Sequence, residues 1–402
     1  MKSNHALIPV SLLLVMAITL AACAPQATAA PTQPPATSAP ATSAPAAMAD
    51  WNTVKSAADG GGMDALVAAA QAEGALTVIT LPRDWCDYGD MMDNFSKKYN
   101  IKITDINPAG GSSDEVQAIK DNMQNKGPQA PDVIDVGPAY GPLSKGQNLL
   151  APYKVATWDT IQGNKDADGY FYIDYSGVLA FEINTDVVKD MPQDWKDLLK
   201  PVYKGQIGLP GDPRSSNEGA QTVYAAALAN GGTLDNVQPG LDFMKQLTTE
   251  GNLLPLVADP GPIAKGETPV SVHWNYLALA DKKSLNGNPN IEVVYPKSLT
   301  WGGYYYQAIS AYAPHPAAAR LWEEYLYSDE GQNTLIKGFC TPARMADMVS
   351  RNVVPADAKA ALPPADMLAK AIIPSPDQLN TARATVKAQW DSVVGLDIKK
   401  SQ

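Results

Sequence analysis

The residues best placed for covalent chemistry lie near the start of the chain. An apolar run begins near Ala6 behind Lys2 and closes on Leu20-Ala21-Ala22-Cys23. A positive start, an apolar stretch over 12–20 and small residues before a cysteine make an export signal in which the thiol is lipidated and the chain is cut. An acylated Cys23 would tether the protein to a membrane surface. The alternatives are an ordinary secretory signal with an incidental cysteine, or an uncleaved anchor; the run is shorter than the roughly 20 residues a spanning helix needs. Cys86 and Cys340 remain. In a compartment that permits disulfides, a bridge and two buried thiols are both open.

Further along, Asp212-Pro213-Arg214-Ser215-Ser216-Asn217 precedes a helical pattern. Hydroxyls and free backbone N–H groups at a helix start can hold an anion, here with Arg214 assisting; Ser215 to Asn217 serve equally as a plain N-cap. The three histidines are His5, His273 and His315, and neither Cys-x-x-Cys nor His-Glu-x-x-His occurs, which disfavours a structural zinc site. No Gly-x-Ser-x-Gly elbow is present. No cofactor is expected, and an exported hydrolase is kept as a remote alternative.

These residues need a scaffold. Ala24 to Ala47 are only Ala, Pro, Thr, Ser and Gln, too little apolar surface to offset ordering, so residues 23–49 read as a lipidated cysteine and a solvated stalk. Beyond it the chain is long enough for two lobes. With 42 acidic against 31 basic residues and a net charge of −11, nucleic acid is disfavoured as a partner.

Apolar periodicity alternates strand and helix. Helices are predicted over 63–73, 91–99 and 114–126, with strands over 76–81, 101–106 and 133–136. Two β-type runs fall within 170–183. Further strands are predicted over 207–209, 270–274, 291–295 and 305–311, and helices over 218–230, 237–249, 316–326, 329–337 and 378–393. In such α/β folds ligands sit beyond the carboxyl ends of the strands.

Ala70-Gln71-Ala72-Glu73-Gly74, Pro131-Asp132-Val133-Ile134, Trp195-Lys196-Asp197-Leu198-Leu199 with Pro201-Val202-Tyr203-Lys204-Gly205, Gly266-Glu267 before Val270-Ser271-Val272, and Ser328-Asp329-Glu330-Gly331-Gln332 occur in this order. Together they resemble an extracellular solute-binding protein of an ABC importer. The resemblance implies an α/β bilobal fold of the type II periplasmic-binding kind: two mixed-sheet lobes flanked by helices, with a hinge between. After a signal at 1–22, lobe one would comprise 50–174 and 301–337, and lobe two 175–300 with 338–402. Gly302 and Gly303 would suit a hinge. It also implies a monomeric, extracytoplasmic, lipid-anchored receptor whose partners are a small solute and membrane permease subunits.

Trp85-Cys86-Asp87-Tyr88, Trp274-Asn275 and Val293-Val294-Tyr295-Pro296-Lys297 look like stretches of spermidine/putrescine-binding relatives. That likeness implies an aromatic box of Trp85, Tyr88, Tyr140, Trp274 and Trp301 or Tyr305, with Asp87 and Asp212 on the ammonium groups. The strand carrying Tyr304-Tyr305-Tyr306-Gln307 lacks the acidic residue those relatives place there. A polyamine or an amino-containing zwitterion is the expected solute. An anion (phosphonate or sugar phosphate) or ferric ion is the alternative.

Overall fold

The computed structural model describes residues 49–400; the export signal, Cys23 and nearly all of the stalk lie outside the described residues. The strands are β1 (Ala75–Ile79), β2 (Lys102–Ile106), β3 (Val133–Val136), β4 (Leu150–Ala151), β5 (Tyr172–Asn184) and β6 (Ile207–Leu209). They continue as β7 (Leu253–Val257), β8 (Val270–Trp274), β9 (Ile291–Val294), β10 (Gly302–Ser310) and β11 (Thr341–Pro342). β1 and β2 form a parallel pair. The other nine form one mixed sheet in the order β3-β10-β5-β8-β6-β7, with β4 on β10 and both β9 and β11 on β5. This is the α/β class that the alternation predicts, and the sheet is mixed as the resemblance implies, although nine strands share one continuous sheet and β1 and β2 stand as a parallel pair.

β5 organises the molecule. Two short runs are expected over 170–183, but the chain makes one 13-residue strand because every side chain except Ser176 is buried and nothing interrupts the pattern. From Tyr172 to Val178 it pairs with β10, and from Leu179 onward with β8 and β9. At the change of partners three glycines allow close packing. A Cβ on Gly177 would lie 2.7 Å from the Tyr276 ring, and one on Gly303 would lie 2.1 Å from the Trp274 indole. Gly302, similarly, abuts Ile373. Both Gly302 and Gly303 belong to β10, where their missing side chains make room for Ile373 and Trp274.

The helices follow the apolar pattern closely. Met63–Glu73 ends on Gly74 in the left-handed conformation (φ 69°). The helix expected over 114–126 runs instead over Ser112–Asp121. Asn122 ends it by donating its side-chain N–H to the Ala118 carbonyl at 2.8 Å and the Gln129 carbonyl at 3.2 Å. The short Tyr140–Gly146 and the Asn275–Leu285 helices were not expected from the pattern. The C-terminal helix Pro376–Val393, opened by a Ser375/Gln378 capping box, buries Leu379, Ala382, Val386 and Trp390 and packs on the helix Asn217–Ala229. Cys86 and Cys340 are bridged, with Cα atoms 5.5 Å apart, which resolves the two states left open by the sequence.

Candidate functional site

A cavity of about 640 Å³ opens where the parallel strands end, a size typical of small-molecule sites. One wall comes from the segments after β1 and β2, carrying Thr80, Trp85 and 109–115; the other from those after β6 and β7, carrying 210–212, 215–218 and Asp259. Asp135 of β3, Tyr175 of β5 and Tyr305 of β10 line the space between them. Lys400 is the sole cationic side chain among the described lining residues.

Each wall presents a helix N-terminus. The first N–H groups of a helix have no intrahelical acceptor and sit at the positive end of its dipole. Ser112–Asp121 begins at the cavity, where Ser112 Oγ accepts from Gly137 N–H at 3.0 Å and Asp114 Oδ2 accepts from Gly111 N–H at 2.9 Å. Opposite it begins Asn217–Ala229, where Ser216 Oγ caps Gly219 N–H at 3.1 Å and Asn217 Nδ2 donates to Tyr305 Oη at 3.2 Å. Two helix ends therefore offer backbone donors to one space, an arrangement suited to an anion.

The lining between them differs in character. Trp85 Nε1 donates to Tyr175 Oη at 2.5 Å, and Tyr175 Oη donates to Asp135 Oδ2 at 3.1 Å. Tyr175 and Tyr305 stack with centroids 5.6 Å apart, and Trp85 meets Tyr305 edge-on at 5.4 Å. Asp135 is 5% exposed, and its Oδ1 has no hydrogen-bond partner among the described residues. Burial, then Asp174 and Glu115 nearby, pushes its carboxyl well above the usual range. Burial does the same to Glu115, whose Oε2 accepts from Asp135 N–H at 2.8 Å. Such carboxyls can present a proton as well as accept one.

A family model for "bacterial extracellular solute-binding protein" matches residues 129–371. The chain belongs to this family. An uncharacterized protein of Haemophilus influenzae is 30% identical over 259 residues, spanning 59% of this chain and 68% of that one. Among solved structures, the periplasmic binding protein P5PA is 22% identical with a TM-score of 0.64, covering 80% of this chain and 99% of its own. The periplasmic binding protein AfuA from Actinobacillus pleuropneumoniae, with exogenous fructose-6-phosphate bound, is 23% identical with a TM-score of 0.62 over the same shares. The fold is thus that of type II periplasmic binding proteins. This solute-binding protein works as the receptor of an ABC importer, outside the cytoplasm, capturing a small solute for membrane permease subunits.

Of the residues singled out in the sequence, the receptor brings Trp85, Asp212, Ser215, Ser216 and Tyr305 to the cavity. The others lie outside its lining. Tyr88 is buried and donates to Asp174 Oδ2 at 2.9 Å. Tyr140 carries the Arg383 guanidinium 4.2 Å over its ring. Trp274 is wholly buried against Gly303. Asn275 Oδ1 accepts from Val178 N–H at 2.8 Å where β5 changes partners. Trp301 Nε1 donates to Gln221 Oε1 at 3.1 Å. Asp87, in a left-handed conformation beside the disulfide, has its carboxyl raised by burial and then by Asp90. Arg214 is spent on Asp212, Asp391 and Asp397 at 2.5, 2.7 and 2.8 Å, so Asp212 lines the cavity with its charge already paired.

Sequence reasoning passed over Ser112-Ser113, Asp135, Tyr175, Glu218 and Lys400. Ser112-Ser113 carried the same signal as Ser215-Ser216, a serine pair opening a helix after a strand. Asp135 could have been found as an acid at the end of a buried strand. Lys400 carried no local signal.

Proposed function

We propose that the solute is a small organic phosphate bearing hydroxyl or amino groups. The observation that carries this is the pair of helix N-termini at Ser112 and Asn217 opening on one cavity. The phosphate sits between them, and the rest of the ligand lies along Trp85, Tyr175 and Tyr305 with a hydroxyl or ammonium on the unpartnered Asp135 Oδ1. The fructose-6-phosphate in AfuA, a protein of the same fold, is of this chemical class. A pure polyamine finds less support, because most of the aromatic box and Asp87 are directed elsewhere. Ferric ion finds less as well: Tyr305 lines the cavity, whereas Tyr304 and Tyr306 pack together with hydroxyls 3.4 Å apart outside the lining.

The same proposal takes Cys23 as the lipid anchor, 50–174 with 301–337 as one lobe and 175–300 with 338–402 as the other, β5 passing between them. Closure then follows from the ligand's preference for the closed form. Thermal denaturation of the full-length protein with glycerol 3-phosphate, fructose 6-phosphate and inorganic phosphate, against putrescine, spermidine and ferric citrate, tests the ligand class. A ligand at a hundred times its Kd adds about 2.7 kcal/mol to stability. Stabilisation by a phosphate ester and none by its dephosphorylated parent is expected; a response to diamines or ferric salt alone overturns the reading.

A further inference from the structure

We infer that the C-terminal tail completes the ligand site, with Lys400 as the cation that meets the ligand's anionic group and Arg214 as the residue that positions the tail. The inference rests on the organic-phosphate reading above.

After the helix Pro376–Val393 the chain turns at Gly395, φ 69°, and Trp390 Nε1 holds the turn by donating to the Leu396 carbonyl at 2.7 Å. Asp397 pairs with Arg214 at 2.8 Å, while Asp391, still in the helix, pairs with the same guanidinium at 2.7 Å. The tail then adds to the sheet: Val257 N–H donates to the Lys399 carbonyl at 2.8 Å and Lys399 N–H to the Pro255 carbonyl at 3.2 Å. Ile398, 5% exposed, lines the cavity. The next residue, Lys400, reaches the opposite wall, where its Nζ donates to the Ala109 carbonyl at 2.9 Å. That carbonyl lies just before Gly110, Gly111 and the start of the Ser112 helix.

A lysine ammonium has three donors. The Ala109 carbonyl takes one, which aims the group at the helix start and leaves donors for the ligand. Beside Asp135 and Glu115, whose carboxyls burial raises, and Asp212, paired with Arg214, the lining carries Asp114, Glu218 and Asp259, so a doubly charged phosphate would meet repulsion without a cation. Arg214, adjacent in sequence to the lining residue Ser215, holds three carboxylates and is outside the lining; its charge acts by fastening 391–397 to the loop that carries Asp212.

The test is isothermal titration of full-length protein, any tag kept away from the C-terminus, with fructose 6-phosphate, glycerol 3-phosphate and inorganic phosphate at low and high salt. For the probe that binds wild type, Lys400→Met should weaken affinity by about tenfold or more, the range of one hydrogen bond to a charged group. Lys400→Arg should restore part of the loss, and the affinity of Lys400→Met should depend less on salt than that of wild type. Arg214→Gln should shift affinity in the same direction, with a melting transition retained. Unchanged affinity in Lys400→Met overturns the role of the tail and leaves the ligand class standing. Absence of binding by wild type to all three phosphates overturns the ligand class, and the inference with it.

Discussion

At the scale of the residue, the site separates side chains that meet solute from those that hold the walls. On the organic-phosphate reading Asp135 belongs to the first kind: removing its carboxyl in Asp135→Ala should weaken ligand binding by about 1–2 kcal/mol, since the Tyr175 hydroxyl also loses its acceptor. Titration calorimetry reads this, and unchanged affinity would remove Asp135 from the site. Trp274 belongs to the second. Its composition and its place at a strand end suggested an aromatic contact, yet the indole is packed on Gly303 with no exposed surface. Trp274→Ala should therefore cost about 3–5 kcal/mol of stability through the cavity it leaves, measured by denaturant unfolding. A stable protein that has merely lost affinity would reverse this assignment. The identity of a tryptophan is legible in sequence, but the side of the sheet it faces depends on which strand lies beside it, and that is decided by distant residues.

Element boundaries were the most legible feature, because local periodicity and caps set them. Pro316–Leu326 and Asp329–Lys337 fall on the predicted ranges, with Pro316 at the first helical position of one and the Ser328 side chain accepting from Gly331 N–H at the start of the other. Pairing was not legible: β3 follows two parallel strands in the chain yet lies antiparallel to β10, some 170 residues later. The turn holding Trp85 is likewise fastened from afar, by a disulfide to Cys340 at a sequence separation of 254. Closing so long a loop in the unfolded chain contributes about 5.5 kcal/mol on the chain-entropy account. Reduction, or Cys86→Ala with Cys340→Ala, should lower the melting temperature and weaken ligand binding through the loosened Trp85. Equal stability of the reduced and oxidised protein would deny the bridge this role. Gly303→Val should be more damaging, since its side chain would enter the Trp274 ring.

Across the whole molecule, buried ionisable groups make stability depend on pH. Burial lifts Asp174 to about 7 and Glu323 and Glu182 to about 8. Burial opposes the charge on His273, but Glu218, then Glu182 and Asp281, outweigh it and raise the imidazole to about 10. In each case the folded state keeps protons that the unfolded chain releases, the carboxyls from about pH 4 and the histidine from about 6.5. Stability therefore falls as pH climbs through 4 to 8 and continues to fall toward 10. The carboxylates held low by arginine, Asp329 and Asp347, act only in the acid range. A higher melting temperature at pH 5.5 than at pH 8.5 is expected, and the reverse order would contradict these assignments. The disulfide sets a timetable as well. Cys340 leaves the ribosome long after Cys86, and thiols stay reduced in an ordinary cytosol. A receptor working outside the cytoplasm thus crosses the membrane with these two thiols unpaired, and the Trp85 wall gains its covalent fastening only at its destination.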